Sequence, residues 1–137
     1  MNKTILLVED EVKLRTNIKV FLEMNGYQTV EAGNGEEGLR AVRKSAPDLI
    51  ITDIMMPKMD GYSLLRELKC DDQLKKIPVI VLTAKEGLRD LCTIEGAVEF
   101  LAKPFELNAI LEIIKKNCNR PSPLVDLDPK DSKENAE

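Results

Sequence analysis

Five side chains that could do chemistry stand at or just beyond the ends of short apolar runs. In chain order they are Glu9, Asp10, Asp53, Thr83 and Lys103. A carboxylate beside a lysine, a hydroxyl and a bound cation can accept a phosphoryl group, because the cations neutralise the oxygens in transfer. In such a site Asp53 would be the nucleophile, Thr83 would hydrogen-bond a phosphoryl oxygen, and Lys103 would supply a fixed positive charge.

The apolar runs themselves predict five β-strands. They cover residues 5–8, 29–30, 49–51, 79–82 and 100–101. The first, third and fourth runs are continuous and rich in β-branched residues, as expected of strands buried on both faces. Between the runs, apolar residues at helical spacing predict helices around Leu14, Ile18, Phe21 and Leu22; Leu39 and Val42; Leu64, Leu65 and Leu68; and Leu107, Ile110, Leu111 and Ile114. Asn25 and Gly26 indicate the end of the first helix.

This alternation predicts an α/β fold, a doubly wound five-stranded parallel sheet with helices on both faces. Ligands of such sheets bind beyond the carboxyl ends of the strands, where the strand order reverses. With the strand order 2-1-3-4-5, the first and third strands are neighbours at that point. We therefore expect Glu9, Asp10 and Asp53 to lie within a few ångströms of one another.

Carboxylates this close would repel one another and raise one another's pKa values unless a cation lies among them. Their ligand atoms are all oxygens, which suits a hard ion such as Mg²⁺. Thioether sulfur does not suit such an ion. We therefore expect the nearby Met56 and Met59 to pack against the core instead.

Composition narrows the function further. The chain has 137 residues, 43% hydrophobic and 32% charged, as expected of one domain with an ordinary core. No apolar run approaches the ~20 residues of a membrane span and no signal peptide is evident, so we expect a cytoplasmic protein without a membrane partner.

The absence of histidine excludes His-based triads, His-ligated zinc and an internal phosphohistidine. A net charge of -4 without a basic stripe argues against direct nucleic-acid binding.

The cysteines and the end of the chain are less informative. Cys70, Cys92 and Cys118 are widely spaced and odd in number, so we interpret them as small packing residues. From Arg120 the composition changes to prolines and charges. This change predicts a domain of residues 1–119 followed by a disordered tail or linker at residues 120–137.

Together these residues resemble the receiver domain of bacterial two-component response regulators, of the single-domain type found in chemotaxis and sporulation. The resemblance rests on Glu9-Asp10, Asp53, Thr83-Ala84 and Lys103-Pro104, and on the string DIMMPKMDG that begins at Asp53. It covers residues 3–118 and implies a flavodoxin-like fold. It also implies that Asp53 takes a phosphoryl group from a partner's phosphohistidine.

The resemblance further implies roles for the other site residues. Mg²⁺ would be held by Asp10, Asp53 and the backbone carbonyl of Met55, with Glu9 acting mainly through water. Lys103 would contact the phosphoryl group. Thr83 and Phe100 would form the pair that switches an output surface.

The implied phosphodonor is a sensor histidine kinase or a histidine phosphotransfer protein. The implied target is a downstream protein or a fused output domain, and the family allows a dimer that forms on phosphorylation. Such a protein is a signalling phosphoacceptor and not an enzyme, since it catalyses only its own phosphorylation and dephosphorylation.

Two other functions stay open. An aspartate-dependent phosphatase has a similar site, but it would need an acid where Met55 stands. A receiver-like domain that acts through protein contacts alone would not need the full set of acids, threonine and lysine. One segment also departs from the family, because the chain between Thr83 and Gly96 is shorter than in typical receivers. We expect residues 85–96 to form a short or poorly formed helix and to be the most mobile part of the domain.

Overall fold

The computed structural model of the chain describes residues 3–53, 61–83, 97–103 and 105–118. Its strands are β1 (Thr4–Val8), β2 (Gln28–Ala32), β3 (Leu49–Asp53), β4 (Val79–Thr83) and β5 (Glu99–Ala102). The helices in the described ranges are α1 (Val12–Met24), α2 (Gly35–Ser45), α3 (Gly61–Lys69) and α4 (Leu107–Cys118).

The strands form a single parallel sheet in the order β2-β1-β3-β4-β5. β3 lies at its centre and is buried along its whole length, as its continuous apolar sequence predicts. The predicted fold class, strand order and positions of all five strands are therefore confirmed.

The two faces of the sheet carry separate cores, because successive side chains of a strand point to opposite sides. On one face, strand residues pack against Ile18 and Leu22 of α1 and Ile110 and Ile114 of α4. On the other face, α2 and α3 contribute Val42, Leu64, Leu65 and Leu68. The apolar spacing that predicted these helices is thus the spacing of the buried positions.

Helix α2 packs closely against the end of β1. A Cβ atom on Gly38 would lie 3.0 Å from Cγ2 of Val8, so glycine permits this close approach. Asn34 caps the helix, since its Oδ1 accepts a hydrogen bond from the Glu37 backbone N–H at 2.9 Å. Oε1 of Glu37 in turn accepts from the backbone N–H of Gly33, also at 2.9 Å. The start of α2 is therefore fixed by its Asn34 cap and by the close packing of Gly38 against Val8.

One sequence prediction is wrong, and several others concern residues outside the described ranges. The interpretation of Cys70 as a packing residue is wrong, because Cys70 is exposed just after the end of α3. The side chains of Cys92 and Cys118 lie outside the described residues, as do the predicted helix at 85–96 and the tail at 120–137.

Candidate functional site

The carboxyl ends of β1 and β3 lie side by side at the centre of the sheet. Val8 pairs with Thr52 in the parallel ladder, so Glu9, Asp10 and Asp53 follow at the same edge. One carboxylate oxygen from each of the three residues lies within 4.8 Å of the other two. Glu9 is 1% and Asp53 4% exposed, whereas Asp10 is exposed to solvent. The structure thus brings the three predicted carboxylates together, two of them buried.

Lys103 reaches into this cluster from the far side of β4. It follows Ala102, which pairs with Thr83 across the β4–β5 ladder. Its Nζ donates to Oδ2 of Asp53 at 2.5 Å and to Oε1 of Glu9 at 3.2 Å. The cation that the clustered acids require is therefore supplied in part by the chain itself.

The pKa of Lys103 is raised above its ordinary value. Burial alone would lower it, but the hydrogen bond and ionic attraction to Asp53, together with Glu9, outweigh this effect. Lys103 consequently keeps its positive charge at neutral pH.

Burial raises the pKa of Glu9, whereas it acts to lower the pKa of Lys103. Removal from water raises the pKa of its carboxyl from 4.5 to about 7, and the negative charge of Asp53 adds to the rise. The backbone N–H of Glu11, which donates to Oε2 at 3.1 Å, and the charge of Lys103 both oppose it. The sequence predicted a pKa raised by repulsion, whereas burial is the larger cause. A further cation among the carboxylates would favour the ionised form of Glu9.

The backbone of Glu9 is held as firmly as its side chain. Its N–H donates to the carbonyl of Ala32 in β2 at 3.1 Å. Its carbonyl accepts from Nη1 of Arg15 in α1 at 2.7 Å. Arg15 was not among the predicted site residues, and the only signal for it in the sequence is a charged residue beside the apolar positions Leu14 and Ile18.

The two predicted switch residues lie on neighbouring strands. Thr83 ends β4, one residue after Leu82, the partner of Asp53 in the β3–β4 ladder. Phe100 lies in β5 opposite Val81 and is partly buried against the core on the α2–α3 face. The backbone therefore places Thr83 at the same edge as the acids and Phe100 further from it. Met55, Met56, Met59 and Pro104 lie outside the described residues.

The donor set fits Mg²⁺. The clustered groups are carboxylates, and hard divalent ions prefer oxygen ligands. Because two of the three carboxylates are buried, an additional positive charge among them would offset the cost of ionising them together.

The parallel sheet of order β2-β1-β3-β4-β5, with acids and a lysine at its carboxyl edge, is the arrangement of a receiver domain. The sequence model of the response regulator receiver domain matches residues 5–115, and the chain belongs to this family. The family prediction is confirmed, while the assignment to the single-domain type stays a prediction.

Individual relatives agree with this assignment. The chain is 37% identical over 128 residues to the alkaline phosphatase synthesis transcriptional regulatory protein PhoP of Bacillus subtilis, covering 90% of this chain and 52% of the relative. It is 38% identical over 125 residues to the phosphate regulon transcriptional regulatory protein PhoB of Pseudomonas aeruginosa, covering 90% and 55%. The chain thus spans about half the length of the curated relatives it matches.

A solved structure also matches closely. The receiver domain of the sensor histidine kinase PA1611 of Pseudomonas aeruginosa superimposes with a TM-score of 0.81 at 31% identity, covering 88% of this chain and all of that one. That structure has a magnesium ion coordinated in its active site cleft.

Among the described helices of the present chain, none has the length and apolar character needed to cross a membrane.

Proposed function

We propose that Asp53 is the phosphoacceptor of a two-component or phosphorelay system and that it reacts with the help of Mg²⁺. The observation that carries the proposal is the surroundings of its carboxylate. Asp53 is 4% exposed at the end of a central strand, lies within a cluster of acids, and contacts the Lys103 ammonium. A buried, rigidly held carboxylate with a cation at its side suits nucleophilic attack on phosphorus.

In the proposed transfer, an Asp53 oxygen forms a bond to phosphorus as the bond to the partner's imidazole nitrogen breaks. The electron pair of the broken bond stays on that nitrogen. Lys103 keeps its proton, because its pKa is raised, and its charge faces the oxygens of the moving group. Later attack by water on phosphorus would release inorganic phosphate and restore the carboxylate. The chain would then act only on its own phosphoryl group.

Asp10, Asp53 and the backbone carbonyl of Met55 are the proposed direct ligands of Mg²⁺, and Glu9 would act mainly through water. A bound ion would neutralise negative charge on the phosphoryl oxygens. The magnesium in the PA1611 receiver and the close oxygens of this cluster support the assignment.

The proposed output is a change of surface beyond β4 and β5. A phosphoryl group on Asp53 would draw the Thr83 hydroxyl towards it, and Phe100 would change its position in response. The donor would be a sensor histidine kinase or a histidine phosphotransfer protein, and the target a downstream protein or a fused output domain. Family membership supports these partners and a cytoplasmic location.

Labelling with a small acyl phosphate in the presence of Mg²⁺ tests the proposal. Wild type should gain one acid-stable, base-labile phosphoryl group, and Asp53→Asn should gain none. Asp48→Asn is the matched control, since Asp48 precedes the same strand at its opposite end and accepts from the Thr4 backbone N–H at 2.8 Å. The control should label like wild type. Persistent labelling of Asp53→Asn would move the nucleophile to another residue.

A further inference from the structure

Arg15 links three elements at the rim of the site without touching its carboxylates. From α1, its Nη1 donates to the Glu9 carbonyl at 2.7 Å and its Nε to Oε1 of Glu31 in β2 at 3.1 Å. The Arg15 side chain is only 19% exposed. The guanidinium lies beside Gly33, where a Cβ atom would be 3.4 Å from Nη1. Arg15 therefore has a defined place and two separate acceptors.

The carbonyl that Arg15 binds belongs to the peptide group that joins Glu9 to Asp10. Because a peptide group is planar, a hydrogen bond to its oxygen limits rotation of the whole plane. The direction in which the Asp10 side chain leaves the backbone depends on that plane. The Glu9 N–H is held by the Ala32 carbonyl at 3.1 Å, so Arg15 holds the other polar group of this residue's backbone.

We propose that Arg15 is a positioning residue that directs the Asp10 carboxylate and thereby sets the preference of the cluster for Mg²⁺ over Ca²⁺. Mg²⁺ demands nearly ideal octahedral geometry, whereas Ca²⁺ tolerates irregular ligands at longer distances. A less restrained Asp10 would therefore cost Mg²⁺ binding more than Ca²⁺ binding. The inference rests on the proposed function in so far as the cluster binds Mg²⁺.

Charge and geometry make opposite predictions for loss of Arg15. As a nearby cation, Arg15 repels any divalent ion, so loss of its charge alone would tighten binding of Mg²⁺ and Ca²⁺ alike. Loss of positioning would weaken Mg²⁺ binding and change the ratio of the two affinities. The sign of the effect therefore separates the two roles.

Calorimetric titration of the whole chain with each ion provides the test. In Arg15→Met, the dissociation constant for Mg²⁺ should rise by about tenfold, the lower end of the range found on loss of groups that orient metal ligands. That for Ca²⁺ should change by less than about twofold. Equal changes for both ions, or tighter Mg²⁺ binding, would overturn the proposal.

Lys19→Met is the matched control. It removes one positive charge from the same helix, where Lys19 pairs with Glu23 at 3.4 Å away from the carboxylate cluster. The Mg²⁺ to Ca²⁺ ratio should stay as in wild type. Glu31→Gln tests the other contact of Arg15, and should also preserve the ratio, because the bond to the Glu9 carbonyl remains. A ratio that falls equally in Glu31→Gln would assign the effect to general support of the sheet edge and overturn the proposal.

A measurement without metal separates this inference from the proposed function. A hydrogen bond deshields the carbonyl carbon. In metal-free protein, the carbonyl ¹³C chemical shift of Glu9 should therefore move upfield from its wild-type value in Arg15→Met. In Lys19→Met it should keep the wild-type value. If wild type binds no Mg²⁺, the proposed metal site fails, and an unmoved Glu9 signal would independently overturn the role of Arg15. If Arg15→Met does not fold, Arg15→Lys provides the same test. This variant should lose part of the Mg²⁺ affinity, because one ammonium group cannot reproduce both directed hydrogen bonds of the guanidinium.

Discussion

In the folded chain, Nζ of Lys103 lies 2.5 Å from Oδ2 of Asp53, although 50 residues separate them in sequence. Both groups are largely removed from water, with side chains 22% and 6% exposed. Lys103 therefore serves as a counter-ion for the carboxylates, and a metal ion bound by these carboxylates would have to share their oxygens with it.

Lys103→Met should bind Mg²⁺ more tightly than wild type while losing phosphoacceptor activity. The ion would no longer compete with the ammonium for Asp53 and Glu9, and we expect a gain of roughly tenfold, or about 1.4 kcal/mol. Titration calorimetry measures the affinity, and acyl phosphate labelling measures the activity. Lys116→Met is the control, because Lys116 pairs with Glu99 at 3.2 Å and is 68% exposed. An unchanged Mg²⁺ affinity in Lys103→Met would contradict the counter-ion role.

The raised pKa of Glu9 predicts how the stability of metal-free protein depends on pH. The pKa is about 7 in the folded state and near 4.5 in the unfolded chain. Between these values the folded state keeps a proton that the unfolded chain has lost, so the free energy of unfolding falls as the pH rises. Glu9 should account for about 3 kcal/mol of this fall.

Urea unfolding of wild type and Glu9→Gln across this pH range measures the effect. The neutral glutamine cannot ionise, so the difference between the two curves should grow in favour of the variant as the pH rises towards 7. Parallel curves would show that the ionisation of Glu9 carries no such cost. Saturating Mg²⁺ should remove most of the difference, because the ion stabilises the ionised form.

Loss of the Asn34 cap should weaken the packing beside the site. Asn34→Ala removes the acceptor for the Glu37 N–H and should lower the free energy of unfolding by about 1 kcal/mol. Asn34→Asp keeps an acceptor and should stay within about 0.5 kcal/mol of wild type. Urea unfolding at one pH compares the variants, and an alanine variant as stable as the aspartate variant would show that the cap does not contribute.

Much of the fold was predictable because its signals are local. Continuous apolar runs predicted the buried strands, and the spacing of Ile18 with Leu22 or Ile110 with Ile114 predicted the buried faces of helices. Topology then placed the acids at one edge. Cys70 was misjudged because it lies one residue beyond α3, where no packing face continues.

The rest of the site depends on contacts that no sequence pattern carries. Arg15 binds a backbone carbonyl, and every residue has one, so residue type could not reveal the partner. The pKa of Glu9 rises chiefly through burial, which depends on how the surrounding elements pack rather than on neighbouring charges. Likewise, only the folded chain shows that Lys103 bridges Glu9 and Asp53.

Strand β3 has hydrogen-bonded neighbours on both sides and no solvent-exposed residue. β5, by contrast, lies at the margin of the sheet, and its four residues are all partly accessible. The backbone around Asp53 is therefore restrained by the strands on both sides of β3. If Asp53 gains charge, we therefore expect the larger displacement in β5, at the border of the sheet, and little movement of β3.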